Sequence, residues 1–289
     1  MAWSNSSSRS LRGVFSFSSG PWDPSHRFES SWLISPWLLF AVRAVFSLYA
    51  FVTLFFILGW DCAHESAGGC LAARQSFSYF TVLTYWGLAF YLLAAAVHTG
   101  TYALTGRPLL DRLPQPLRAL HALFYTTVVT FPFLVTAVYW ALLYKGVWFP
   151  TPFEGWHNIS QHAMNSLFAL FELVVPRTAP PNPVHVLWLL VVLLGYLAVA
   201  FITLADQGFY TYSFLDHDDV GGRGYVAAYV VGIAVAIVVI FGIVYGLIWL
   251  RRWVTETKLG MEGKLADQQV CDGAEMNTIR PKEREASVV

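Results

Sequence analysis

Six long apolar stretches constrain the fold of this sequence more than any motif in it. They cover residues 37–60, 77–102, 119–144, 158–175, 184–204 and 225–250. Most are close to the ~20 residues with which an α-helix crosses a bilayer. The composition agrees, because 56% of the 289 residues are hydrophobic and only 12% are charged, which is too apolar for a water-soluble globule. The sequence therefore predicts an integral membrane protein.

The apolar stretches lack the alternation of polar and apolar residues that is typical of membrane β-barrels. Since only helices and closed barrels satisfy their backbone hydrogen bonds in lipid, we expect helices. The predicted fold class is all-α, a polytopic membrane protein with six transmembrane helices in residues 37–250. Residues 1–36 are predicted to be a mobile cytosolic N-terminal arm, and residues 251–289 a disordered cytosolic tail.

The distribution of basic residues beside the predicted spans indicates how the protein is oriented in the membrane. The side that holds both termini carries more of them, which marks the cytosolic side; they are Arg27, Arg107, Arg112, Arg118, Arg177, Arg251, Arg252 and Lys258. The opposite side carries Arg74, Lys145 and Arg223. We expect a multi-pass protein with both termini in the cytosol. The endoplasmic reticulum is the default membrane, because neither end shows a retrieval or lipidation signal.

Two of the three cysteines share one loop on the predicted lumenal side. Cys62 and Cys70 could form a disulfide there if that compartment is oxidising. The sequence leaves open whether they do.

Two charged residues lie inside the predicted spans. Arg43 lies near the cytosolic end of the first span, and we expect it to extend to the lipid headgroups, the alternative being a buried partner. Glu172 would be costly as an anion facing lipid, so we expect it to point into the bundle.

The fourth stretch carries a narrow polar seam. At about 100° per residue, four side chains fall within about 80° of one another on this helix: Asn158, His162, Asn165 and Glu172. An ionisable residue at membrane depth is a functional-site hypothesis by default, so His162 is a candidate catalytic residue. A purely structural role in helix packing is equally open.

Thr84 in the second stretch is the predicted partner of His162. Both lie in the same leaflet, at depths of roughly 10 Å and 6 Å, and the segment 206–216 leaves the membrane there. A threonine with a neighbouring histidine can act as nucleophile and base. Side chains that could bind or orient a substrate are Asn158, Asn165, Tyr91 and Tyr212. A structural Thr84, bonded to the carbonyl four residues earlier, is the alternative.

Cofactors and nucleic acid are not expected. The sequence has no CxxC or HExxH metal motif, no nucleotide-binding glycine motif and no basic aromatic surface, and its net charge is +0. Three histidines at helix ends, His98, His121 and His185, raise the alternative of a haem or metal site. Solvation of these side chains at the membrane surface explains them more simply. No protein partner is indicated.

Several short motifs occur in an order that is known from one family. They are Leu83-Thr84-Tyr85, then Trp156, Asn158, His162 and Glu172, and then the segment 208–216 with Tyr212. Together they resemble the androgen-induced protein family of membrane hydrolases, which includes the androgen-dependent TFPI-regulating protein, and in particular its fungal branch. The similarity covers residues 77–216 and neither terminus. Animal members have a histidine directly after the motif asparagine, where this chain has Ile159.

The resemblance implies a six-span, threonine-dependent hydrolase of lipid esters, in particular fatty acid esters of hydroxy fatty acids. The nucleophile of the family matches Thr84, and its histidine matches His162. In this interpretation the acyl chains lie in the apolar bundle and an acyl-threonine forms. The alternative is a non-catalytic lipid-binding or scaffold protein whose polar seam holds the helices together.

Overall fold

The computed structural model describes residue 23 and residues 25–261, and all regular secondary structure in them is helical. The helices of this part of the chain are α1 (Pro36–Ala63), α2 (Gly69–Ser76), α3 (Phe80–Thr105), α4 (Gln115–Val128), α5 (Phe131–Val138), α6 (Pro152–Ile159), α7 (Asn165–Val174), α8 (His185–Gln207) and α9 (Arg223–Arg252). Short π-helical turns extend α5 (Tyr139–Leu143), join α6 to α7 (Ser160–Met164) and extend α9 (Trp253–Lys258). The all-α prediction is confirmed for the described residues.

Five helical segments are long and apolar enough to cross a membrane, as expected of a multi-pass membrane protein. They are Pro36–Ala63, Phe80–Thr105, Gln115–Leu143, His185–Gln207 and Arg223–Lys258. The predicted count of six is not confirmed. The segment from α6 through α7 is helical without a break, but its polar seam lowers its hydropathy.

The α6–α7 segment nevertheless lies along α1 from one end to the other. At its start, the ring of Phe153 stacks on that of Trp60 near the end of α1, with 4.7 Å between the ring centroids. At its end, the indole of Trp32, which precedes α1, donates a hydrogen bond of 2.7 Å to the carbonyl of Val174. The two segments are therefore antiparallel and similar in length.

The bundle has two ends that differ in character. At the terminal face, the segment before α1 meets the end of α9, where Arg27 binds Glu256. At the disulfide face, α2 carries one half of a disulfide that joins Cys62 to Cys70. The same face holds the start of α3 and the loop 208–222. The sequence left open whether Cys62 and Cys70 are paired, and in the structure they form a disulfide.

The third apolar stretch is divided into α4 and α5 by Pro132. Proline has no backbone N–H and its ring clashes with the preceding turn, so α4 ends at Val128 and Pro132 lies in the first turn of α5. At the break, the hydroxyl of Thr130 donates a hydrogen bond of 2.6 Å to the carbonyl of Thr126. A side chain thus satisfies a carbonyl that the interrupted helix leaves free.

The predicted boundaries at residues 36 and 251 need correction. Residues 25–35 pack against the bundle, where the Ser30 carbonyl accepts a hydrogen bond from the N–H of Arg177 and the Ser31 hydroxyl donates to the carbonyl of Val175. At the other end, α9 and its π-helical turn continue to Lys258. Short polar side chains make these segments suitable for docking onto free helix-end carbonyls. The rest of the predicted arm and tail, residues 1–22, 24 and 262–289, lies outside the described residues.

Candidate functional site

Thr84 lies in the second turn of α3, near the disulfide face. Its hydroxyl donates hydrogen bonds to the carbonyls of Phe80, at 2.9 Å, and Thr81, at 3.1 Å. This is the bond to the preceding turn that a threonine in a membrane helix usually makes. The hydroxyl is therefore held in the ground state by its own helix.

Thr84 also lines an apolar cavity of about 300 Å³ between α3, α4, α5 and α8, which we name the threonine cavity. Its wall includes Gly87, Pro132 and Tyr196. Gly87 lies one turn after Thr84, where an added Cβ would touch the ring of Phe124 at 3.7 Å. The site thus offers a hydroxyl at the edge of an apolar space.

A second cavity of about 280 Å³, the aromatic cavity, lies between α3, α5, α8 and α9. Aliphatic side chains form most of its wall, and Thr81, Tyr139, Tyr196 and Tyr212 bring hydroxyl groups to it. The two cavities share Phe80 and Tyr196 as lining residues. Neither wall carries a charged side chain, which suits an uncharged apolar ligand.

His162 lies in the π-helical turn between α6 and α7 and is 8% exposed. Its Nδ1 is 2.9 Å from the carbonyl of Asn158. A carbonyl only accepts hydrogen bonds, so Nδ1 carries the proton and Nε2 of the neutral ring has a free lone pair. No described residue forms a hydrogen bond with Nε2. The imidazole is thus in the tautomer that a general base requires.

Tyr139 covers one face of the His162 ring. The two rings stack with 3.6 Å between their centroids and an interplanar angle of 14°. The indole of Trp140 donates a hydrogen bond of 3.0 Å to the carbonyl of His162. Tyr139 lines the aromatic cavity, whereas His162 lines neither of the two cavities.

The structure does not join Thr84 to His162. No hydrogen bond connects the two side chains, because the Thr84 hydroxyl is bonded to its own helix and the His162 ring, among the described residues, is hydrogen-bonded only at Nδ1. The start of α3 and the loop 208–222 do meet around the aromatic cavity, whereas His162 is linked to it only through Tyr139. Two of the three predicted segments therefore meet, and the predicted dyad is not assembled.

The two asparagines of the seam hold helices together. The amide oxygen of Asn158 accepts a hydrogen bond of 2.8 Å from the hydroxyl of Tyr139, so Asn158 supports the ring that stacks on His162. The amide oxygen of Asn165 accepts bonds from the hydroxyl of Thr136 and the N–H of Ser166. Asn158 is placed to orient the histidine, while Asn165 links α7 to α5.

The two predicted tyrosines lie in different parts of the bundle. Tyr212 lines the aromatic cavity and stacks on Phe214, with 5.0 Å between the ring centroids. Burial raises the pKa of the Tyr212 phenol well above its usual value, so the group keeps its proton and can donate a hydrogen bond. Tyr91 is fully buried beside His121, and it lines neither cavity.

Tyr196 is a cavity residue that the sequence did not single out. It lines both cavities, and its hydroxyl donates a hydrogen bond of 3.0 Å to the carbonyl of Ser78. The sequence signal that could have indicated Tyr196 is a single phenol in a largely aliphatic stretch. A buried tyrosine usually has a polar partner, so this position predicts a polar contact inside the bundle.

The expectation that Arg43 extends to the headgroups is wrong. Arg43 is 1% exposed and donates two hydrogen bonds to Glu172, one of 2.7 Å to each carboxylate oxygen. Glu172 is itself 0% exposed. It also donates to the carbonyl of Phe28 and the hydroxyl of Thr99. A planar guanidinium that is fully hydrogen-bonded can be buried where a partner exists. Glu172 points into the bundle as predicted.

The three helix-end histidines do not form one site. The rings of His98 and His121 lie 5.2 Å apart between centroids, but His185 is hydrogen-bonded through Nδ1 to the hydroxyl of Thr126. The contacts therefore divide the three histidines between two places in the bundle.

The loop between α8 and α9 brings three ligand-bearing side chains together. One ligand atom from each of Asp216, His217 and Asp218 lies within 4.8 Å of the others. The Asp218 side chain is 89% exposed, as is typical of solvated acidic loops. The group carries no further feature that indicates an ion.

In the part of the chain that the structure describes, these features define an all-helical protein with five helices long and apolar enough to cross a membrane, as in a multi-pass membrane protein. Two apolar cavities adjoin each other in the bundle, and a buried histidine stacks on a tyrosine that lines one of them. Comparisons of the chain with protein-family models, with curated proteins and with solved structures found no match.

Proposed function

We propose that this protein is a hydrolase of lipid esters within the membrane, with Thr84 as nucleophile and His162 as base. The observation that carries the proposal is that the Thr84 hydroxyl lies on the wall of an apolar cavity with no charged lining. Such a cavity suits the acyl chains of an uncharged ester, including a fatty acid ester of a hydroxy fatty acid.

The free lone pair of His162 Nε2 supports its role as base. In the proposed reaction, the Thr84 oxygen bonds to the ester carbonyl carbon while its proton passes to Nε2. The bond to the alcohol oxygen then breaks and the alcohol takes that proton, which leaves an acyl-threonine. Water releases the fatty acid by the reverse sequence, and Thr84 regains its proton. Tyr212 is the donor proposed for the negative oxygen.

The reaction requires Thr84 and His162 to approach each other when substrate binds. The Thr84 hydroxyl must leave the carbonyls of Phe80 and Thr81, and the stack of Tyr139 on His162 must shift. Catalytic hydrogen bonds are often incomplete without substrate and form in the complex. A π-helical turn at His162 gives the chain a local irregularity at which such a shift can occur.

The proposal is tested by ester hydrolysis with the purified full-length protein and its variants. We expect Thr84→Ala and His162→Ala to reduce hydrolysis of a long-chain fatty ester by at least about a hundredfold, the range of a lost nucleophile or base. Thr101→Ala is the matched control, because Thr101 also donates to the carbonyl four residues earlier in α3 but lines neither cavity, and it should retain most activity. Full activity in a folded Thr84→Ala protein would refute the proposal.

The second candidate function is non-catalytic lipid binding. It is favoured by the Thr84 hydroxyl, which is already satisfied by its own helix, and by the absence of a Thr84–His162 hydrogen bond among the described contacts. This function predicts that a radiolabelled fatty ester copurifies unchanged and that Thr84→Ala leaves its binding intact. Turnover by the wild-type protein distinguishes the two functions.

We also propose that the α6–α7 segment is a sixth membrane span. Its antiparallel position along α1 supports this, and at 1.5 Å per residue it can cover about 30 Å of hydrocarbon. With six spans both termini lie on one side, and the basic residues favour the cytosol for them. The endoplasmic reticulum stays the proposed membrane.

A further inference from the structure

Four arginines lie close together at the terminal face, and they outnumber the carboxylates around them. Glu256 forms a double hydrogen bond with Arg27, at 2.6 and 2.8 Å. Arg177 and Arg252 approach the same carboxylate, at 3.8 and 3.4 Å. We name this group, together with the neighbouring Arg251, the arginine cluster. It joins the segment before α1, the segment after α7 and the end of α9.

Arg177 is the member of the cluster with the least satisfied charge. Its side chain is 7% exposed, and its Nε forms no hydrogen bond. Among the described residues its guanidinium has only the 3.8 Å approach to Glu256, which Arg27 already occupies with both carboxylate oxygens. A buried guanidinium without acceptors is costly, so this side chain indicates a ligand that supplies them.

The neighbouring groups do not cancel the charge. Asp23 accepts hydrogen bonds from the backbone N–H groups of Arg27 and Phe28, and no described contact joins its carboxylate to Arg177. Arg251 donates to the carbonyls of Leu173, Pro176 and Thr178, which are neutral acceptors. Within the described residues, four arginines therefore face the carboxylates of Glu256 and Asp23.

The position of the cluster indicates where the ligand comes from. The apolar span of α9 ends at Arg251 and Arg252, and basic residues at the end of an apolar span are expected at the depth of the lipid headgroups. Arg252 is partly exposed, with 47% of its side chain accessible, so the cluster is open on that side. Arginine binds phosphate in a planar, two-pronged geometry that lysine cannot offer.

We propose that the arginine cluster binds the phosphate of an anionic lipid headgroup through Arg177 and Arg252. The phosphate supplies the acceptors that the Arg177 guanidinium lacks, and its charge offsets the excess around Glu256. The inference is independent of the proposed hydrolysis, since the cluster lies at the terminal face and Thr84 lies near the disulfide face. Bound lipid would also hold the segment before α1 against the end of α9.

The test measures the thermal unfolding midpoint of the full-length protein in detergent as short-chain lipid is added. The probes are dioctanoyl phosphatidylglycerol, which is anionic, and dioctanoyl phosphatidylcholine, which carries the same phosphate in a zwitterionic headgroup. We expect phosphatidylglycerol to raise the midpoint, and Arg177→Gln and Arg252→Gln each to weaken its apparent affinity about tenfold, the size of one charge-assisted contact. Arg223→Gln, an exposed arginine at the other end of α9, is the matched control and should respond like wild type.

The possible results of this test either support or overturn the proposed lipid binding. The proposal fails if phosphatidylcholine is as effective as phosphatidylglycerol, if both variants respond like wild type, or if the wild-type midpoint does not move. Arg252→Gln keeps the test valid if Arg177→Gln does not fold, because Arg252 is partly exposed. Inorganic phosphate at the same concentration distinguishes the source: an equal shift identifies a free phosphate site, and no shift identifies the lipid headgroup.

Discussion

The Arg43–Glu172 ion pair shows how a charge can be tolerated at the centre of an apolar bundle. Four hydrogen bonds to Glu172, Phe28 and Thr99 use four of the five N–H donors of the guanidinium, which replaces most of its hydration. Such a pair stabilises a protein little more than apolar residues of the same volume would. If one partner is removed, however, the other is left as an uncompensated buried charge. The pair is therefore a structural element of the bundle rather than part of the proposed chemistry.

We predict that Glu172→Gln lowers the stability of the protein by about 3 kcal/mol, because it leaves Arg43 with an uncompensated buried charge. The double variant Arg43→Met/Glu172→Leu should recover most of this loss, since it removes both charges. Thermal or denaturant unfolding in detergent measures both. A Glu172→Gln protein as stable as wild type would show that the two side chains are not paired.

The sequence predicted the position of a side chain where the chemistry of that residue alone determines it. The prediction failed where a partner far away in the sequence determines it. Glu172 was expected to point inward because an anion in lipid is costly. The partner of Arg43 is 129 residues away in the sequence, and no local pattern indicates it. The stack of Tyr139 on His162 was missed for the same reason.

At the scale of elements, the segment before α1 is part of the fold. Glu29 in this segment is 1% exposed, and one of its oxygens has no hydrogen-bond partner. Burial, together with the negative charges of Asp23 and Asp111, raises the pKa of Glu29 from 4.5 to about 8, against the opposing effect of Arg43. The docked segment therefore holds a protonated carboxyl group at neutral pH.

This carboxyl group makes stability depend on pH. Between about pH 4.5 and pH 8 the folded protein keeps a proton that the unfolded chain releases, so stability falls as pH rises, by up to about 1.4 kcal/mol per pH unit. We expect Glu29→Gln to remove this slope and to unfold at a higher temperature than wild type above pH 8. Glu65→Gln, an exposed carboxylate at the disulfide face, is the control and should keep the slope. Parallel pH profiles for wild type and Glu29→Gln would contradict the assignment.

At the scale of the whole molecule, the apolar stretches predicted the helices well because lipid leaves the backbone few alternatives. All six stretches are helical in the described residues, although Pro132 divides the third. The cavities could not be predicted, because each is formed by side chains from four helices that pack only in the folded bundle. Thr84 lies near the disulfide face because it is in the second turn of α3, but the wall that it shares with Tyr196 depends on the packing of α8.

Topology is the whole-molecule prediction. With six spans, the loop between Cys62 and Cys70 lies on the side opposite both termini. We expect a glycosylation acceptor inserted at Gly68 to be modified in cells, and the same acceptor inserted at Pro114, in the loop before α4, to stay unmodified. Tags at both termini should be protected or exposed together. Tags on opposite sides would mean five spans and an α6–α7 segment that does not cross.

The central claim is that Thr84 is a nucleophile activated by His162, and labelling with a fluorophosphonate ester probe tests it most directly. The adduct is located by mass spectrometry in the detergent-solubilised wild type, Thr84→Ala, His162→Ala and Thr101→Ala proteins, each shown to be folded. The account predicts an adduct on Thr84 that is lost in the first two variants and kept in the third. An adduct on Thr81, or no adduct on a folded wild-type protein, would contradict it, and the second outcome would favour lipid binding without catalysis.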